Sequence, residues 1–160
     1  MENLELILIP AARKGEIAVL AELISRGVNL EYKDEKGYTP LIIAAYNGQT
    51  EAVKTLLAAG ANVDATDLGG NTALMGCAFK GNLEIAELLI DAGANLNLQH
   101  GNGGTAVMFA VMFGRNDMLQ LLVNRGADTK LPDSRGLTAL EHAFLQGNQE
   151  AQLLLGGQTA

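Results

Sequence analysis

Cys77 is the one cysteine of the chain, set in the stretch NTALMGCAFKG (71–81). A thiol can act as a nucleophile when a base stands beside it and a charged, partly exposed setting favours the thiolate. The candidate bases are two histidines, His100 and His142. A second chemical candidate is GNGGTA (101–106), which fits the loose G-x-G-x-x-A form of a phosphate-cradling loop. A third is the set Asp34, Asp67 and Asp133, which could supply paired carboxylates for acid–base work. A metal site would need ligands grouped at short spacing. One cysteine, two separated histidines and scattered acids do not provide that grouping.

These candidates must be read within the elements that carry them, and those elements repeat. Thr39, Thr72, Thr105 and Thr138 stand 33 residues apart. So do Gly15, Gly48, Gly81, Gly114 and Gly147, and so do Gly27, Gly60, Gly93 and Gly126. In register the units begin DEKGYTPLIIAAYNG (34–48), DLGGNTALMGCAFKG (67–81), HGNGGTAVMFAVMFG (100–114) and DSRGLTALEHAFLQG (133–147). Their second halves repeat as well, as EAVKTLLAAGANVD, EIAELLIDAGANLN and DMLQLLVNRGADTK.

Each unit reads as helix, turn, helix, hairpin. The threonine column sits at a helix N-cap, where the hydroxyl accepts a bond from a free N–H of the first turn. Pro40 follows Thr39 at the first helical position, where a missing N–H costs least. The first glycine column ends the first helix in a left-handed C′ position. Val53, Leu56 and Leu57 form a second apolar stripe at helical spacing. The second glycine column ends that helix, and a turn rich in Asp and Gly then signals a hairpin.

A 33-residue unit with T-P-L and a closing L-L-x-x-G-A resembles an ankyrin repeat. The resemblance covers nearly the whole chain. It implies an all-α ankyrin-repeat solenoid of helix-turn-helix units joined by β-hairpin loops. Residues 1–33 form an amino-terminal cap repeat, 34–66, 67–99 and 100–132 full repeats, and 133–160 a truncated carboxy-terminal repeat. The chain also departs from the family. The usual histidine after T-P-L is replaced by Ile42, Met75, Met108 and Glu141, which should weaken the ties between hairpins. Pro10 falls inside the first helix of the cap and should make it start late or kink. The last unit stops at LLLGGQTA without a hairpin.

In this register the chemical candidates lose their meaning. Cys77 shares a column with Ala11, Ala44, Ala110 and Ala143, which asks for a small side chain between closely packed helices. His142 lies two repeats along, roughly 20 Å away at an inter-helix spacing of about 10 Å. GNGGTA occupies the hairpin slot that reads EKGYTP, LGGNTA and SRGLTA elsewhere. The aspartates form one column of turn residues that bond nearby backbone. The expectation is no catalysis, no cofactor and no metal.

Charge and hydropathy narrow the partners. The net charge of −7 opposes nucleic-acid binding, which needs a surplus of Lys and Arg. No apolar run reaches the roughly 18 residues of a membrane span, so no membrane is expected. The opening MENLELILIP does not read as a secretory signal. With a single cysteine, a reducing cytoplasm is the expected compartment.

In ankyrin-repeat proteins the partner usually meets a concave face of hairpin tips and first helices. The columns just before the first glycine column hold Arg13 and Lys14, Tyr46 and Asn47, Phe79 and Lys80, Met112 and Phe113, and Leu145 and Gln146. The hairpin-tip position before the threonine column holds Tyr38, Asn71, Gly104 and Leu137. Four of the seven aromatic residues (Tyr38, Tyr46, Phe79, Phe113) fall in these positions. Stacking should align them in a ridge roughly 20–30 Å long. Phe109 and Phe144 fall in helix core columns instead. The candidate partner-binding residues are therefore Tyr38, Tyr46, Phe79, Lys80, Met112 and Phe113, flanked by Arg13 and Lys14. A packing role for the same rings stands beside this reading. The expected function is a non-enzymatic scaffold for a protein or peptide partner, monomeric rather than dimeric. The alternative is a self-associating structural protein that uses the ridge as a homodimer contact.

Overall fold

The computed structural model describes residues 3–156. Among them are ten α-helices in antiparallel pairs, and no strand. The first helices of the pairs are α1 (Glu5–Lys14), α3 (Pro40–Tyr46), α5 (Ala73–Lys80), α7 (Ala106–Met112) and α9 (Ala139–Leu145). The second helices are α2 (Ile17–Ser25), α4 (Thr50–Ala58), α6 (Leu83–Asp91), α8 (Asn116–Asn124) and α10 (Gln149–Gly156). First helices pack on first helices in chain order, and second on second, so the pairs form a two-layered stack.

The threonine column caps as its chemistry predicts. Thr39, Thr72 and Thr105 accept the N–H of Ile42, Met75 and Met108 at 3.2 Å, and Thr138 accepts that of Glu141 at 3.4 Å. The glycine column closes the same helices; Gly81, for example, takes φ 80°, a left-handed conformation that a side chain would strain. Pro10 does not delay α1, which begins at Glu5. Proline removes the bond that would end on the Leu6 carbonyl. Leu6 and Pro10 are both exposed, so that loss falls on the wet side of the helix.

Small residues set the helix spacing. Ala11, Ala44, Ala110 and Ala143 are at most 1% exposed, and Cys77 in the same column is fully buried. Burial pushes the Cys77 thiol up to about 12, so it stays protonated and inert at neutral pH. In the second layer Leu23, Leu56, Leu89, Leu122 and Leu155 repeat one core position and are at most 4% exposed. Phe144 breaks its column. Ala12, Ala45, Ala78 and Val111 are buried there, but Phe144 is 63% exposed, a correction to its core assignment. Among the described residues, no first helix packs on the far side of α9.

The hairpins are tight loops, each closed by a backbone bond such as Asp34 N–H to the Tyr38 carbonyl at 3.1 Å. Asp34, Asp67 and Asp133 each take two loop N–H groups on Oδ1. The missing histidines leave other ties in place. Leu68, Gly101 and Ser134 donate backbone N–H to the carbonyls of Lys36, Gly69 and Asn102 in the preceding loops. Lower in the loops, Asn62, Asn95 and Asp128 donate N–H to Glu31, Asp64 and Asn97 side chains.

Leu89→Ala should empty a fully buried site and cost about 2–5 kcal/mol, against about 1 kcal/mol for loss of the cap in Thr72→Ala. Urea melts of both variants check this, and an unmoved Leu89→Ala midpoint would contradict the packing described. Thiol reagent should label Cys77 slowly in native protein and fast in denatured protein. Cys77→Ala should be near neutral, while Cys77→Leu should overpack the column by about 1–3 kcal/mol.

Candidate functional site

The last turns of α3, α5 and α7 lie side by side, because helices one unit apart are neighbours. Each ends in an aromatic: Tyr46 closes α3, Phe79 stands in the last turn of α5, and Phe113 caps α7. The Tyr46 and Phe79 rings stack with centroids 6.3 Å apart. Phe79 meets Phe113 edge to face at 4.5 Å. The row continues from Phe113 to Phe109 at 6.5 Å, and from Phe109 to the His100 ring at 5.1 Å. Such ring pairs are worth about 0.5–1.5 kcal/mol each beyond the area they bury. The row thus supports itself, yet it stays wet: Tyr46 is 44% and Phe113 45% exposed. Met112 beside them is also exposed, and Phe79, held between two rings, is half-buried.

Cations border the row. The Lys80 ammonium lies 4.5 Å from the centre of the Tyr46 ring, where the ring's negative face attracts it. Arg115 donates from Nε to the Phe79 carbonyl at 3.1 Å, which pins the end of α5. Arg13 reaches the row's amino-terminal side, and its guanidinium has no hydrogen bond or ion pair among the described residues. Lys14 is exposed at the end of α1 and lines no cavity of the face.

Two cavities flank the row. The first, of about 440 Å³, is walled by Tyr38, Ile43, Tyr46, Phe79 and Phe109, floored by Met75 and Gly76, and rimmed by Arg13. Gly76 sits inside α5 at a position held by Ile43, Phe109 and His142 in other units. No steric need explains it. A Cβ there would meet nothing nearer than the Tyr46 Cδ2 at 3.5 Å, an ordinary contact. Glycine in a helix interior costs about 1 kcal/mol relative to alanine. The α5 helix carries that cost where it lines the cavity.

The second cavity, of about 460 Å³, is lined by His100, Met108, Phe109, Met112, Phe113, Arg135 and the pair Asp133 and His142. His142 is 3% exposed, and its Nε2 lies 2.7 Å from Asp133 Oδ2. The Leu137 N–H, then the His142 ring, hold the Asp133 carboxyl below the usual carboxylate range, with the Arg135 N–H adding to them against desolvation. This pair orients an imidazole, but no hydroxyl or thiol bonds to the ring among the described residues. It ties the last hairpin to α9. The described residues hold no group of three or more His, Cys, Asp or Glu able to bind a metal.

Sequence reasoning aligned Tyr46, Phe79 and Phe113 and left out two members of the row. Phe109 was assigned to the core, but it is half-buried, touches Phe113 and walls both cavities. His100 entered the sequence reading as a candidate base, and it lies in a hairpin loop. Its signal lay in the aspartate column, where it replaces the acid and its Nδ1 takes the Asn102 N–H at 3.4 Å. Its ring covers Gly104, where a Cβ would come within 2.6 Å of Nε2.

The stack and its repeated caps have a match among known families. The sequence profile described as "Ankyrin repeats (3 copies)" matches residues 8–100 and, in a second placement, residues 74–159. The chain belongs to the ankyrin-repeat family, whose repeats generally mediate protein–protein contacts and are typically non-enzymatic. No curated protein matches the chain. No helix among the described residues is long and apolar enough to cross a membrane.

The Asp133 carboxyl is lowered by folding, so it contributes stability above its ordinary value near 3.8 and loses that contribution as pH falls below it. Asp133→Asn should therefore lower the urea midpoint at pH 7 and do so much less at pH 3. Equal losses at both values would show that the charge on Asp133 is not what matters.

Proposed function

We propose that the chain is a non-enzymatic scaffold that holds a partner protein or peptide along its concave face. Tyr38, Tyr46, Phe79, Met112 and Phe113 supply the apolar contact. Lys80 and Arg13 supply positive charge near it, with Lys14 further out. The partner segment then has an apolar centre and at least one acidic end, and the binding needs no cofactor. The observation that carries this reading is the continuous row of rings in which Tyr46 and Phe113 are left close to half exposed. Rings serving only as packing would be covered by their neighbours, whereas a contiguous exposed apolar patch marks an interaction surface. Aromatic side chains are also enriched among the residues that dominate binding energy.

The monomer is the working state in this reading. Self-association through the same row is the second reading, supported by the same exposed rings. Light scattering separates the two, since a dimer mass that collapses to monomer in Phe113→Ala would favour self-association.

The partner is identified by capture on the immobilised chain and mass spectrometry, and its affinity is then measured by calorimetry. Phe79→Ala and Phe113→Ala should each lose about 2 kcal/mol or more, roughly 30-fold in Kd. Glu87→Ala, on the exposed side of α6, should bind as wild type does. If both ring variants bind unchanged while keeping their helical circular dichroism, the site lies elsewhere.

A further inference from the structure

We propose that the notch over Gly76 is a selectivity pocket that takes one aromatic side chain of the bound segment, with an acidic residue beside it facing Arg13. The proposal rests on the partner-binding reading above and adds the chemistry of what is bound. Four features of the notch support it.

One residue of the lining has no side chain. Where α5 carries Gly76, the neighbouring first helices carry Ile43 and Phe109 at the equivalent position. Nothing in the packing requires the glycine, since a Cβ would make only an ordinary contact with Tyr46. The cavity it lines, of about 440 Å³, falls in the range that ligand-sized groups occupy.

The walls select the occupant. Tyr46, Phe79 and Phe109 present rings to the space, and ring–ring contacts reward a planar aromatic guest beyond the area it buries. A cationic guest is disfavoured, because Lys80 already lies over the Tyr46 ring and Arg13 stands at the rim. The rim favours an acid for a related reason. Asp67 is the acidic residue of the lining, and its Oδ1 already accepts the N–H groups of Gly69 and Asn71. Asp67 keeps its negative charge, but Arg13 and Lys80 outnumber it, so the charge around the notch is net positive.

The methionines report on this directly. Met75 floors the notch, Met108 and Met112 line the second cavity, and Met118 is buried in α8. The full chain, labelled with [13C-methyl]methionine, is titrated with the probe N-acetyl-Phe-Asp-amide. The Met75 signal should move and saturate while Met118 stays still. N-acetyl-Leu-Asp-amide and N-acetyl-Phe-Lys-amide should each bind at least about threefold more weakly. Gly76→Leu should weaken the probe at least tenfold. Gly76→Ala should weaken it less and raise the melting temperature, which keeps the test valid if the larger residue disturbs folding. A still Met75 signal, an unchanged response in both Gly76 variants, or equal binding of the leucine probe would overturn the proposal. With the partner itself, an unaffected Gly76→Leu beside a 30-fold loss in Phe113→Ala overturns the notch and leaves the row. The reverse pattern, with Met75 responding as described, overturns the row and leaves the notch.

Discussion

Every feature of this face depends on how closely the first helices approach one another. The contact column of Ala11, Ala44, Cys77, Ala110 and Ala143 leaves no room for a longer side chain. With the backbones that close, the last turn of each first helix lies beside the last turn of the next. Residues 33 or 34 apart in sequence then become neighbours in space. Tyr46 and Phe79 stack for that reason, and Phe79 meets Phe113 edge to face. Cys77 serves this spacing as a slightly larger alanine. Its burial favours the neutral thiol, which is the opposite of what a nucleophile requires.

A regular backbone leaves the shape of the face to side chains in a few columns. The clearest case is the column of Pro10, Ile43, Gly76, Phe109 and His142. Ile43 packs into the core, Phe109 joins the aromatic row, and Gly76 lines a notch. His142 turns the same position into a polar anchor for the last hairpin through Asp133. Nearest-neighbour packing makes such variety tolerable, because a change in one unit is felt mainly by the units beside it.

The hairpins show a related economy. The family's loop-tying histidine is absent, yet backbone N–H groups of Leu68, Gly101 and Ser134 still reach the preceding loops. Asp34, Asp67 and Asp133 brace three of the loops by each accepting two N–H groups, and in the loop between them His100 Nδ1 takes the Asn102 N–H instead.

The sequence by itself determined the period, the caps, the helix pairs and the small-residue column, because each rests on local chemistry that recurs every 33 residues. It also placed Tyr46, Phe79 and Phe113 in line, since the period alone makes them neighbours. It did not place Phe109 in that row or free Phe144 from the core. The exposure of Phe144 depends on whether a neighbouring helix covers its column, as one does for Val111 and, among the described residues, none does for Phe144, and the place of Phe109 depends on its ring contacts with Phe113 and His100. The bond between Asp133 and His142, nine residues apart, was equally hidden, because it needs the loop to fold back over α9. The notch over Gly76 is the plainest case. A glycine in a sequence marks only a missing side chain, and only the fold shows that it lines a cavity whose rings come from three neighbouring units.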